Sequence, residues 1–191
     1  MLTRTTLHYD KRMSNHVPAV PADDAEAQRL VGSYLQDFAQ LEAALDDGIG
    51  KLLGFDGSTR DIVCSSLPFA KKVQVFFSAE NYLATVPEAE RRARLKDASK
   101  RTFQLNDKRV IFAHCAFASD AAGAVTFRRV VANGKLSVSN VTITSGEVQS
   151  LRLEAQELAV ELVALVEEMK PFVPSLDFSD PRNSMYLGAV I

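Results

Sequence analysis

Asn106-Asp107-Lys108-Arg109-Val110-Ile111-Phe112-Ala113-His114 is the stretch on which the fold turns. It reads as the last two turns of a long helix, and just beyond it the hydrophobic period changes. Upstream, Pro87 suits a first helical turn, and Glu88 and Glu90 sit favourably near the positive end of the helix dipole. From there to about Ala116 no proline or glycine interrupts the pattern. Leu95, Ala98, Thr102, Leu105, Arg109 and Phe112 or Ala113 mark the inner side. Downstream, Asp120 to Gly123 reads as a loop. Val125, Phe127 and Val130 then precede Asn133-Gly134, and Leu136, Val138, Val141 and Ile143 follow it. Asn-Gly between two such runs is a strong local signal for a β-hairpin. An isolated hairpin is marginal, so this one must lean on the helices or on a second chain.

The flanking segments complete a helical domain. Leu30, Tyr34, Phe38, Leu41, Leu45, Ile49 and Leu52 recur at spacings of three and four. They predict a long first helix, capped by Asp23 or Asp24 and ended by Gly54, Asp56 and Gly57. Ser58 or Thr59 can cap a short helix over Arg60 to Leu67, and Pro68 suits the first turn of the next. In that helix Phe69, Val73, Phe76 and Phe77 supply the core face, with Lys71 and Lys72 outward. Thr144 with Glu147 forms a capping box at the start of the last long helix. Its stripe is Val148, Leu151, Ala155, Leu158, Leu162, Leu165 and Met169, and Pro171 and Pro174 stop it.

The fold expected is mainly α, an antiparallel four- to five-helix bundle with one β-hairpin, about 124–144, inserted before the last long helix. Residues 1–22, which hold His8 and His16, read as a flexible arm. The helical domain covers 23–170. The tail 171–191 is apolar and is expected to pack on the domain or on a partner.

Composition bounds the function. The chain has 191 residues, 47% of them hydrophobic and 24% charged, enough for one buried core. No apolar run approaches the roughly 18 to 20 residues of a membrane span. Met1 to Asp10 has no apolar core of a signal peptide, so no membrane association and a cytoplasmic location are expected. The two cysteines, Cys64 and Cys115, then read as thiols. No Cys/His spacing fits a metal site, no phosphate-binding glycine loop occurs, and no cofactor is expected. The net charge is -2, yet Arg91 to Lys135 carries eleven basic residues against Asp97, Asp107 and Asp120. That local excess of +8 leaves -10 for the rest of the chain. Such a zone either attracts a polyanion or forms a face that complements acidic helices.

In element order, and in the run Arg109-Val110-Ile111-Phe112-Ala113-His114-Cys115, the chain resembles the HEPN superfamily of helical nucleotide-binding domains. The pattern Phe38-Ala39-Gln40-Leu41-Glu42-Ala43-Ala44-Leu45 on the first helix adds to the likeness, which spans about residues 25 to 169. Two positions depart from the family pattern: Val110 replaces a polar residue, and Cys115 a small one. For active members the resemblance implies metal-independent endoribonuclease activity at a site built across a homodimer. Many members are noncatalytic.

Those residue types suit that chemistry. Metal-free RNA cleavage needs a group to move the 2′-hydroxyl proton, a task suited to histidine. It also needs a cation to hold the phosphate, which the arginine fork does in two places. Arg109 and His114 are therefore the candidate catalytic pair. Asn106, Lys108 and Arg101 are candidates for contacting substrate. A separation of five residues turns two side chains about 140° apart and about 7.5 Å along the axis. One helix does not readily aim both at one phosphate, whereas two chains related by a two-fold axis can. The expected partners are a second copy, RNA and a protein. The alternative is a noncatalytic helical interaction module. There Arg109 pairs with Glu42 or another acid, and His114 bonds a late carbonyl. In either reading Val110, Ile111, Phe112 and Ala113 are expected to be core. Glu42 and Asp46 read as an acidic pair near the site or as a solvated edge.

Overall fold

The computed structural model describes residues 25–83, 89–119, 123–132 and 136–169. The N-terminal arm, the Asp23 and Asp24 caps, Pro87, the Asn133-Gly134 turn and the apolar tail lie outside them. The described chain is mainly helical, with five helices and one small antiparallel sheet.

α1 (Ala25–Leu53) carries the predicted stripe, and all seven of its residues are buried. Gly54, at φ 69°, reverses the chain, and the Phe55 N–H donates back to the Gly50 carbonyl at 2.8 Å. That six-to-one bond with a left-handed glycine closes the helix end. α2 (Gly57–Ser65) starts three residues earlier than expected and ends two earlier. Asp56 caps it, with its carboxylate accepting from the Thr59 N–H at 2.7 Å, so neither Ser58 nor Thr59 is the cap. α3 (Phe69–Leu83) begins just after Pro68, whose carbonyl accepts from Lys71 and Lys72. It crosses α1 closely at Gly48, where an added Cβ would lie 2.4 Å from the Phe76 ring.

Lys72 corrects the outward assignment of this lysine pair. It is buried, and its ammonium donates to Glu42 and Asp46 of α1 at 2.8 Å each. Burial works against its charge, but the two carboxylates outweigh that and raise its pKa. Glu42 and Asp46 are therefore neither a solvated edge nor part of the Arg109 site.

α4 (Ala89–His114) and α5 (Ser145–Met169) complete the helices. The predicted capping box opens α5: the Thr144 N–H donates to Glu147 Oε2 at 2.7 Å, and the Glu147 N–H to Thr144 Oγ1 at 3.2 Å. α5 packs chiefly on α1. Buried Asp37 ties the two together, accepting from Arg152 at 2.6 Å and from Gln156 at 2.8 Å.

The sheet holds one strand more than the expected hairpin. β1 (Ala116–Ser119) follows α4 after a single residue, where a loop was expected only from Asp120. β2 (Val125–Ala132) lies between β1 and β3 (Leu136–Ile143), antiparallel to both. An aromatic series fastens the sheet to the helices. Phe127 of β2 meets Phe112 of α4 at 4.8 Å between ring centres, and Phe112 meets Tyr34 of α1 at 4.5 Å. The buried Tyr34 hydroxyl donates to the Leu105 carbonyl at 2.7 Å, which fixes α4 against α1.

Candidate functional site

α4 spends its cations unevenly along its length. In its first half, Arg91 donates to Glu80 of α3 at 2.5 Å and to Glu168 of α5 at 2.6 Å. Arg94 meets the same Glu168 at 3.1 Å. Arg101 bridges Glu161 at 2.9 Å and Glu154 at 3.4 Å. Three of the zone's eleven basic residues thus form a belt that joins α4 to α3 and α5. Glu80 is wholly buried, and burial lifts its carboxyl above the usual range against the pull of Arg91. Arg101, counted among the substrate contacts from sequence, belongs to this belt. Its burial opposes the charge, but Glu154 and Glu161 more than restore it and raise its pKa.

The last turns of α4 differ. The Cys115 N–H closes the helix on the Ile111 carbonyl at 3.0 Å, and the chain turns straight into β1. β1 pairs with β2 only from Val125 to Arg128, through Ala116↔Arg128 and Ser119↔Val125. β2 runs on to Ala132, so among the described residues its edge from Arg129 onward has no strand on the β1 side. Between that edge and the end of α4 lies a cleft of about 740 Å³. Its polar wall is His114, Arg128, Arg129 and Asp107, and its apolar wall is built around Val110, Ile111 and Val130.

His114, Arg128 and Arg129 are all exposed. Among the described residues none of them forms an ion pair. Two arginines against one aspartate give the cleft a formal excess of one positive charge, with a histidine beside it. Alternation along β2 accounts for Arg129 only. Arg129 shares the parity of buried Phe127, so it points to the face that carries α4. Arg128, of opposite parity, also lines the cleft. The arrangement can hold a doubly contacted anion and place an imidazole next to it.

The remaining predicted residues lie elsewhere. Arg109 is half-buried, does not line the cleft, and acts electrostatically on Tyr34, as does Glu154 of α5. Burial is the main force lifting the Tyr34 hydroxyl above its usual pKa, and the Arg109 charge opposes it. Arg109 is not paired with Glu42, which holds Lys72. Lys108 lines a separate, shallower groove with Leu151 and Glu154, and its charge helps keep the Glu147 carboxyl low. Asn106 is half-buried and lines neither space. Val110, at 45% exposed, and Ala113 are not core, whereas Phe112 is buried and Ile111 packs against the core. Cys115 is half-buried, is not in a disulfide, and lines the cleft beside His114.

A single chain therefore brings His114 to the cleft without Arg109, as the angle between them on one helix requires. Arg128 and Arg129 were legible from sequence only as members of the basic zone. A signal for Arg129 existed in the β2 alternation, which gives it the face of Phe127. No described helix is long and apolar enough to cross a membrane. A scan of family models, a search of curated proteins and a search of solved structures each found no match to this chain.

Proposed function

We propose that the chain is an RNA-binding protein of the HEPN kind that holds phosphate in the cleft at the end of α4. Arg128 and Arg129 supply the charge, and His114 lies next to the bound phosphate. In this reading the helices form an antiparallel bundle that presents the cleft, and the protein works in the cytoplasm. One observation carries the proposal: three basic side chains converge on one open cleft, while Arg91, Arg94 and Arg101 are neutralised by acids. Cleavage by the Arg109/His114 pair is not available to one chain, because Arg109 is on another side of α4. It would need Arg109 from a second copy, so binding without cleavage is the activity proposed for the single chain.

The test is binding of a mixed single-stranded RNA in EDTA as salt is varied. Losing two phosphate contacts in Arg128→Ala/Arg129→Ala should lower the slope of log affinity against log salt by about 1.4. Equal slopes for the variant and wild type would remove the cleft from RNA binding. Cutting of the RNA by wild type but not by His114→Ala would add catalysis to the proposal.

A second reading has its own support. Val110, at 45% exposed, and Val130, at 52%, flank the cleft, which suits a noncatalytic module that takes a protein segment. Failure of wild type to bind RNA at low salt would favour it.

A further inference from the structure

The two edges of the sheet are treated differently. β1 is only four residues long, and α1 lies against it. Short, covered edge strands are a common protection against unwanted pairing. β3, at the other edge, has none of the usual protections among the described residues. It runs eight residues, Leu136-Ser137-Val138-Ser139-Asn140-Val141-Thr142-Ile143, without a charge, proline or glycine. Its pairing with β2 is continuous from Val125↔Ile143 to Ala132↔Leu136, so no bulge bends it away. Among the described residues no strand occupies its outer side, and its principal contacts are with β2. Ser137, Val138, Ser139, Asn140 and Thr142 are all exposed.

We infer that β3 is the interface for a second copy of this chain, joined antiparallel across a two-fold axis into a six-stranded sheet. Two-fold pairing requires a surface that complements itself. An uncharged strand meets this condition, because its own copy brings no like charge opposite it. An axis normal to the sheet pairs residues of the same face, so it falls on Ser139 or Asn140. With the axis at Asn140, Val138 meets Thr142 of the other copy on the outer face. Ser137 meets Ile143 of the other copy on the face toward the helices. The rows already present continue across the junction: Val130–Val138 in one copy runs into Thr142–Thr126 of the other, where the two hydroxyls already bond at 2.8 Å. Arg128 sits beside Asn140 in the ladder. The two Arg128 residues would be three strand spacings apart, about 14 Å, too far to repel strongly. The axis is at β3, and the cleft opens on the opposite edge of β2, so the dimer leaves both clefts free. This inference therefore does not depend on what the cleft binds.

Sedimentation equilibrium through the micromolar range, together with amide exchange of Ser137 to Ile143, tests it. Wild type should sediment at twice the 20.9 kDa chain mass, and exchange in β3 should slow as concentration rises. Asn140→Lys places a charge at the junction on an exposed position. It should sediment at the chain mass with an unchanged helical spectrum and lose the concentration dependence of exchange. A wild-type monomer throughout the range would overturn the inference, as would a dimer with β3 exchange independent of concentration. If Asn140→Lys fails to fold, the wild-type exchange series still decides between these results.

Discussion

The first half of α4 and the cleft at its end put basic residues to different ends. Near its start, Arg91, Arg94 and Arg101 are held by Glu80, Glu154, Glu161 and Glu168 of the neighbouring helices. At its end, His114 faces Arg128 and Arg129 across an open cleft, and none of the three has an acid in ion-pair reach among the described residues. A basic count along a sequence does not separate these cases. What separates them is whether packing brings carboxylates to the same place. The belt is part of how the helices hold together, and the cleft has charge left for a ligand.

The sharpest break between the two regions should appear in stability. Arg91→Ala leaves the fully buried Glu80 carboxylate without its main partner and should cost about 3–5 kcal/mol in urea unfolding. Arg128→Ala and Arg129→Ala alter exposed, unpaired side chains and should each stay within about 0.5 kcal/mol. Equal losses in the two regions would erase the distinction.

A smaller effect belongs to the link between belt and cleft. Tyr34→Phe removes the buried side-chain hydrogen bond to the Leu105 carbonyl and should cost about 0.5–1.5 kcal/mol. Because that hydroxyl fixes α4 against α1, the same variant should weaken RNA binding without removing a cation. Unchanged binding in a destabilised Tyr34→Phe protein would mean the cleft is positioned independently of α1.

The smallest expected effects are pH dependences of opposite sign. Burial raises the Glu80 carboxyl, so the folded chain keeps that proton to higher pH than the unfolded chain. The contribution of Glu80 to stability therefore falls as pH rises from 4.5 through its raised value. Glu147 is held low by the Thr144 N–H and then by its hydroxyl. Its contribution is present above 4.5 and is lost as pH falls through the lowered value. In unfolding curves taken against pH, Glu80→Gln should remove the first trend and Glu147→Gln the second. A matching sign for both would contradict the placement of Glu80 in a buried pair and Glu147 in an exposed cap.

Much of the fold was legible because local rules governed it. The stripes of α1 and α5 obey the helical period against one continuous core. Gly54 and the Thr144–Glu147 box act within a few residues. Features decided by distant partners were not legible. Ala116-Phe117-Ala118-Ser119 has no β-branched residue, and it forms a strand because β2 lies beside it. Lys72 differs from Lys71 only in facing Glu42 and Asp46, which are 30 and 26 residues away. Val110 and Ala113 are exposed because the end of α4 is covered on one side only. At the site, the place of His114 at the end of its helix was legible from that helix. That Arg128 and Arg129 line the same cleft was not, because it depends on β2 running on past β1. The ion pairs of Arg101 to α5 were not legible because those acids lie 53 and 60 residues later.

The most direct test of the central claim is an anisotropy titration of single-stranded RNA in EDTA against three proteins. They are wild type, Arg128→Ala/Arg129→Ala, and Arg94→Ala from the belt. The account predicts that wild type and Arg94→Ala bind alike while the double variant loses affinity and salt dependence. Equal weakening by the belt and cleft variants, or no binding by wild type, would contradict it.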